Sequence, residues 1–148
     1  MPAVQTTYTE RQPIAVAGMP ATMETWDGDT GIVETVAGIE FARAVAQGTN
    51  DNGIITAGAT NFTGVTYRDI TLIHANPSFY GYIQGESAGV MTRGDIWVDV
   101  FEAVTTKDPV GYNSGGRFGK SGTVLTNARW VRGIGAPGGL ALLRLNKP

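Results

Sequence analysis

The sequence predicts an all-β chain: a single small β-sandwich or jelly-roll-like domain with an extended N-terminal arm. Three observations carry that expectation. First, β-branched residues dominate the aliphatic ones, with 18 Thr, 13 Val and 10 Ile against 6 Leu. Such side chains are stiff at χ1 and suit a pleated surface better than a helix. Second, glycine accounts for 21 of 148 residues, and each glycine inside a helix costs about 1 kcal/mol. Third, short apolar runs alternate with turn signals every eight to twelve residues or so, the spacing of sandwiches and barrels.

A chain of 148 residues is long enough for one domain with a real core and too short for two. The net charge is −2 and no basic run exists, which excludes nucleic acid as the main partner. Without cysteine there is no disulfide frame, thiolate metal site or thiol nucleophile. No apolar run of about 18 residues is present, so no membrane helix is expected. The N-terminus lacks the basic segment and apolar core of a signal peptide, so synthesis in the cytoplasm is expected.

Along the chain, residues 1–13 read as the arm, with Pro2 and Pro13 bracketing a Thr-rich stretch, and residues 14–148 as the domain. Within the domain, Ile14–Gly18 reads as a short strand, Met19–Gly31 as a loop and Ile32–Ala37 as a strand. Ile39–Gln47 reads as one strand, because Gly38 and Gly48 bound a span of strand length, with one short helix as the alternative that its alanines allow. Gly48–Gly53 is a turn cluster, Ile54–Asn61 is irregular, and Phe62–Arg68 is a strand with a bulge or close contact at Gly64. Ile70–Ala75 is an extended run, and Asn76–Pro77 starts a turn. Phe79–Gln84 and Gly89–Thr92 are short strands around Gly85–Glu86, and Arg93–Asp95 is a turn. Ile96–Val104 is apolar on both faces and reads as a central strand. Lys107–Pro109 is a turn, Val110–Tyr112 a strand and Asn113–Gly122 a long flexible tip. Thr123–Leu125 and Arg129–Gly133 read as strands. Ala136–Gly139 is a tight turn, and Leu140–Leu145 is a buried closing strand.

Chemical motifs are sparse. Gly133–Gly138 matches GxGxxG, but only ten residues follow and none is acidic, so a hairpin is the better reading than a dinucleotide site. Asp27-Gly28-Asp29 offers two carboxylates without the further oxygens and distal Glu that calcium requires, and reads as a solvated turn. His74 is the sole histidine; a general base beside Ser78, Ser87 or Ser114 would make a cryptic hydrolase. No GxSxG elbow supports that, so no catalytic, cofactor or metal residues are assigned. Trp97 and Trp130 lie in strand patterns and read as core. Trp26 sits in a polar stretch near Met19 and Met23, either as a contact patch or as a loop folded over the core. In the arm, Tyr8 is the only aromatic and Arg11 offers a charge to a partner. The candidate partner contacts are therefore Tyr8, Arg11, Met23 and Trp26.

Three sets of residues share a pattern. One is Phe41–Val45, Gly48–Asn52 and Phe62–Asp69; another is Gly85-Glu86 with Gly94–Val98. The third is Asn127–Trp130 with Gly138–Leu145. Together they resemble the structural cement, or capsid decoration, proteins of tailed bacteriophages. The resemblance implies a β-sandwich on the outer capsid surface of the virion, bound to the phage major capsid protein and bracing the expanded shell. It implies no catalytic residues and no cofactor. Low charge and abundant strand edges that need cover predict a symmetric homo-dimer or homo-trimer, which would also suit a two-fold or three-fold axis of a shell. The rival from the residues is a binding module for carbohydrate or a receptor, of tail or fibre type, with Trp26, Tyr80 and Tyr112 as exposed aromatics.

Overall fold

The computed structural model describes residues 15–22, 24–58, 61–72 and 79–146. Twelve strands and no helix lie among them. In chain order they are β1 (Asp27–Val33), β2 (Ile39–Glu40), β3 (Ala44–Gln47), β4 (Gly53–Thr56), β5 (Phe62–Thr66) and β6 (Gly81–Tyr82). Then follow β7 (Ser87–Asp99), β8 (Val110–Tyr112), β9 (Phe118–Gly119), β10 (Thr123–Leu125), β11 (Ala128–Arg132) and β12 (Leu140–Leu145). The arm, His74, Ser78 and the Asn76–Pro77 turn lie outside the described residues.

The main sheet runs β1-β4-β3-β5-β7-β12-β11, and β1 pairs with β7 as well. Five strands therefore close into a ring. At the seam Ile32 faces Gly53 of β4 on one side and Ser87 of β7 on the other. Alternate residues of the ring strands point to two cores, as the period of two requires. Val33, Val45, Ile54, Ala88 and Val90 gather inside the ring, where Ile39, Phe41 and Tyr82 join them. Ala44, Ala46, Val65 and Met91 face outward onto a second core. That core is completed by Ile96 and Val98 of β7, Trp130 of β11, and Ala141, Leu143 and Leu145 of β12. Val110, Tyr112 and Phe118 reach it from a three-stranded sheet, β10-β8-β9. The second small sheet is the β2–β6 ribbon, registered Ile39↔Tyr82 and Glu40↔Gly81.

Strand β7 is the spine, and it departs from the sequence reading. Its 13 residues run straight through Arg93–Asp95, which the sequence marks as a turn. Gly94 sits at φ 132°, and a Cβ there would lie 2.5 Å from Cβ of Trp26. Glycine serves here to bend a continuous strand under a tryptophan and not to reverse it. The bend hands β7 from β1, paired up to Arg93, to β12, paired from Gly94. The central position expected for Ile96–Val104 holds, although the strand ends at Asp99.

Other differences have similar causes. Asp27-Gly28-Asp29 lies in β1 instead of a turn, with Gly28 pressed beneath the ring of Trp26. Ile32–Ala37 keeps only its first two residues as strand. Ile39–Gln47 is two strands, broken where Ala42 takes φ 62°. Buried Thr66 fixes that break: its hydroxyl donates to Glu40 O at 2.8 Å and accepts from Arg43 N at 3.0 Å. Ile54–Thr56 pairs as β4 because the ring supplies β3 and β1 on either side, which local sequence does not show. Residues 15–18 are not strand, and the expected tip 113–122 contains β9 with Phe118 fully buried. Trp130 is core, but Trp97 is only half-buried.

Several expectations hold. The Val110–Tyr112, Thr123–Leu125 and Leu140–Leu145 strands appear with those bounds. Gly64 is a close contact beside a bulge: Val45 faces Gly64 while Ala46 faces Phe62, leaving Thr63 as the extra residue. A Cβ on Gly64 would lie 2.4 Å from Met91 O. The GxGxxG stretch runs from the end of β11 into β12 through a turn at Pro137-Gly138, with no helix.

Candidate partner-contact surface

A strand-like clamp fixes the start of the domain. Gly18 N donates to Trp97 O at 2.7 Å, Trp97 N to Met19 O at 3.0 Å, and Ala21 N to Asp95 O at 2.9 Å. Residues 18–21 thus cover the edge of β7 opposite β12, and Ala15 is buried behind them. Gly18 O also accepts from Arg68 N at 2.8 Å, so residue 18 lies against the chain just after β5.

Of the candidate contacts, Tyr8, Arg11 and Met23 lie outside the described residues. Trp26 is half-buried, packed on the second core and set edge-on to Tyr67 at 5.1 Å between ring centroids. Its indole ring packs against Gly28, and its Cβ against Gly94. Tyr112, expected as an exposed aromatic, is a core residue instead, stacked on Phe62 at 5.7 Å. Tyr80 is exposed, at 62% of its full accessible area.

The exposed apolar residues are unevenly spread. Val36, Ile70, Tyr80 and Ile83 all flank the β2–β6 ribbon or the segment after β5. Val36 sits in the turn that Gly38 N closes onto Thr35 O at 3.0 Å. The guanidinium of Arg68 lies 5.7 Å from the Phe41 ring centroid and 5.8 Å from that of Tyr80, within cation–π range. Its sequence neighbour Asp69 is turned away. That carboxylate accepts from Thr71 Oγ1 at 2.6 Å and Thr71 N at 2.8 Å, bonds that hold it below the usual carboxylate range.

Two other carboxylates act as latches for loops. Glu34 accepts from Thr49 N at 2.8 Å, Asn50 N at 2.9 Å and the Asn50 amide at 2.8 Å. The backbone donors of Thr49 and Asn50 lower its pKa. Glu102 accepts from Ser121 Oγ and N at 2.7 Å each and from Lys120 N at 2.8 Å, and the Ser121 hydroxyl leads the lowering of its pKa. Arg43 bridges Asp99 at 2.7 Å and also meets Glu40, while Arg144 grips buried Asp95 with two bonds of 2.7 and 2.8 Å. These groups are engaged with one another in positioning loops and strands. Ser87 and Ser114 are both exposed. Among the described residues, no group of three or more His, Cys, Asp or Glu is placed to hold a metal ion.

A family model described as "Structural cement protein (E217 gp24/Pam3 gp6)" matches residues 4–146. The chain belongs to this phage structural cement family. It is a capsid-stabilising cement, or decoration, protein of the virion's outer capsid. The fold is shared with a chain in the capsid of Myoviridae phage XM1, at TM-score 0.72 and 18% identity, covering 98% of each chain. A more distant likeness is the N base of head fibre gp8.5 of bacteriophage phi29. Its TM-score is 0.50 at 13% identity, over 82% of the cement protein and 95% of that chain. No curated protein matches the cement protein in sequence.

The exposed cluster around Arg68 was not singled out by the sequence reading. Tyr67-Arg68-Asp69 entered only as part of the family pattern, and Tyr80 only as a sugar-binding candidate. The cation–π contacts of Arg68 with Phe41 and Tyr80 join residues far apart in the chain, so no local spacing reveals them.

Proposed function

We propose that this cement protein binds the major capsid protein on the outside of an expanded shell, assembles with copies of itself, and acts without catalysis. The observation that carries the reading is the contrast between a doubly cored domain and an arm rooted at one fixed point. Residues 18–21 are bonded into the β7 edge, so a pull on the arm is borne by the central strand of the sheet. Residues 1–14, fully extended, would span up to about 50 Å. Thr6, Thr7, Tyr8 and Thr9 have strand propensity, which suits addition to a sheet edge of a neighbour. Tyr8, Arg11, Met23 and the open side of Trp26 are then the arm-side contacts. A net charge of −2 gives little long-range steering, so affinity comes chiefly from apolar burial and backbone pairing repeated at many sites.

Deletion of residues 1–12 tests the arm. The truncated domain should keep its melting temperature and bind undecorated capsids much more weakly. Unchanged capsid occupancy would overturn this role. A strictly monomeric mass, both free and on the capsid, would remove the self-association.

A further inference from the structure

We infer that Arg68, within cation–π range of the rings of both Phe41 and Tyr80, receives a carboxylate side chain of the capsid protein; this rests on the capsid-binding reading above. Arginine carries five N–H donors in a planar fork, and stacking occupies its faces while leaving its edges to donate in plane. The two ring contacts already restrict the side chain, so less of its freedom is lost when an acid docks. Among the described residues, Arg43, Arg117 and Arg144 each meet a carboxylate within 4.0 Å; Arg68, Arg93, Arg129 and Arg132 meet none, and of these four Arg68 is the one set over aromatic rings. Its adjacent Asp69 is committed to Thr71. The cation is therefore positioned, and no described carboxylate neutralises it.

Its surroundings fit a protein partner better than a free anion. Tyr80 is exposed beside it, and Ile70, two residues along, is 86% exposed. Aromatic, arginine and aliphatic residues together make the composition of interface centres, where apolar neighbours keep water from the ion pair. The site also adjoins the arm root through the Gly18–Arg68 backbone bond, so a shell segment that takes the arm is brought to it.

The test is occupancy of undecorated expanded capsids by wild type, Arg68→Gln, Arg68→Lys and Tyr80→Ala, each first checked for an unchanged melting temperature. Arg68→Gln should weaken binding by about tenfold or more, the usual cost of removing one partner of a desolvated charge pair. Arg68→Lys should fall between, keeping the charge and losing the planar fork. Tyr80→Ala should weaken binding without removing it. Wild type that binds alongside an equally bound Arg68→Gln overturns this contact alone. Wild type that leaves the shell bare overturns the cement reading and the contact with it. Binding of a glycan through Tyr80, with capsid occupancy indifferent to Arg68, would assign the site to sugar and also overturn it.

Discussion

Strand β7 and the β2–β6 ribbon are held very differently in this fold. Along β7, residues 87–93 pair with β1, 90–91 also with β5, 94–99 with β12, and 95–97 with the clamp at 18–21. Its inward side chains Val90, Ile96 and Val98 are almost wholly buried. The ribbon has two residue pairs. Its inner face, Ile39 and Tyr82, plugs the ring, while Val36, Tyr80 and Ile83 around it stay in solvent. The difference separates two tasks. Paired backbone and double-sided burial make β7 the element that bears load. A short ribbon with one buried face exposes apolar residues at little cost to stability, and exposed apolar groups are what a partner can bury.

Breaking the first region should have the largest effect. Trp130→Ala empties a site that is 2% exposed and removes the indole bond to Pro109 O at 3.2 Å. The expected loss is about 3–5 kcal/mol, read as a lowered denaturation midpoint with near-normal slope. Gly64→Val should rank next, because its side chain meets the β7 backbone at Met91. Failure to recover soluble protein, or a loss of at least about 2 kcal/mol, is expected there.

Legibility from sequence follows the same division. The strands Val110–Tyr112, Thr123–Leu125 and Leu140–Leu145 were readable because each is an apolar or β-branched run between clear turn signals. Strands β1 and β4 were not, because their glycines look like punctuation. At Gly28 and Gly31 the glycine instead makes room for Trp26 and Ile54, partners from elsewhere in the fold. The same holds for the contact surface. Trp26 could be picked out as an odd aromatic, but whether its ring was free depended on Tyr67, 41 positions away. Arg68 was invisible as a site because its two ring partners come from β2's end and β6's start.

pH tests both regions with the sign set by direction. Tyr82, inside the ring, donates to Tyr67 O at 2.7 Å, and burial pushes its pKa up to about 12. Its ordinary value is 10.0, so between these values the unfolded chain has lost a proton that the fold retains. Stability should fall as pH rises through that window, and Tyr82→Phe should remove part of the fall. Glu34 and Glu102 run the opposite way. Their pKa values are lowered from 4.5, so what they contribute is present above that value and is lost as pH falls below it. Protection of the Thr49, Asn50 and Ser121 amides, taken against their intrinsic exchange rates at each pH, should fall first in acid, ahead of the β7 amides. A uniform fall in protection across the molecule would show that these loops are not separately latched. Ile70→Ser should change stability least, within about 0.5 kcal/mol, because the side chain is exposed.

The central claim is that the doubly cored domain braces a capsid from outside. The most direct measurement is the thermal disruption of undecorated expanded capsids titrated with the purified protein, with occupancy followed by electron microscopy. The account predicts saturable, stoichiometric occupancy and a disruption temperature that rises with it. Capsids that stay bare at saturating protein, or that fill without any gain in disruption temperature, would contradict it.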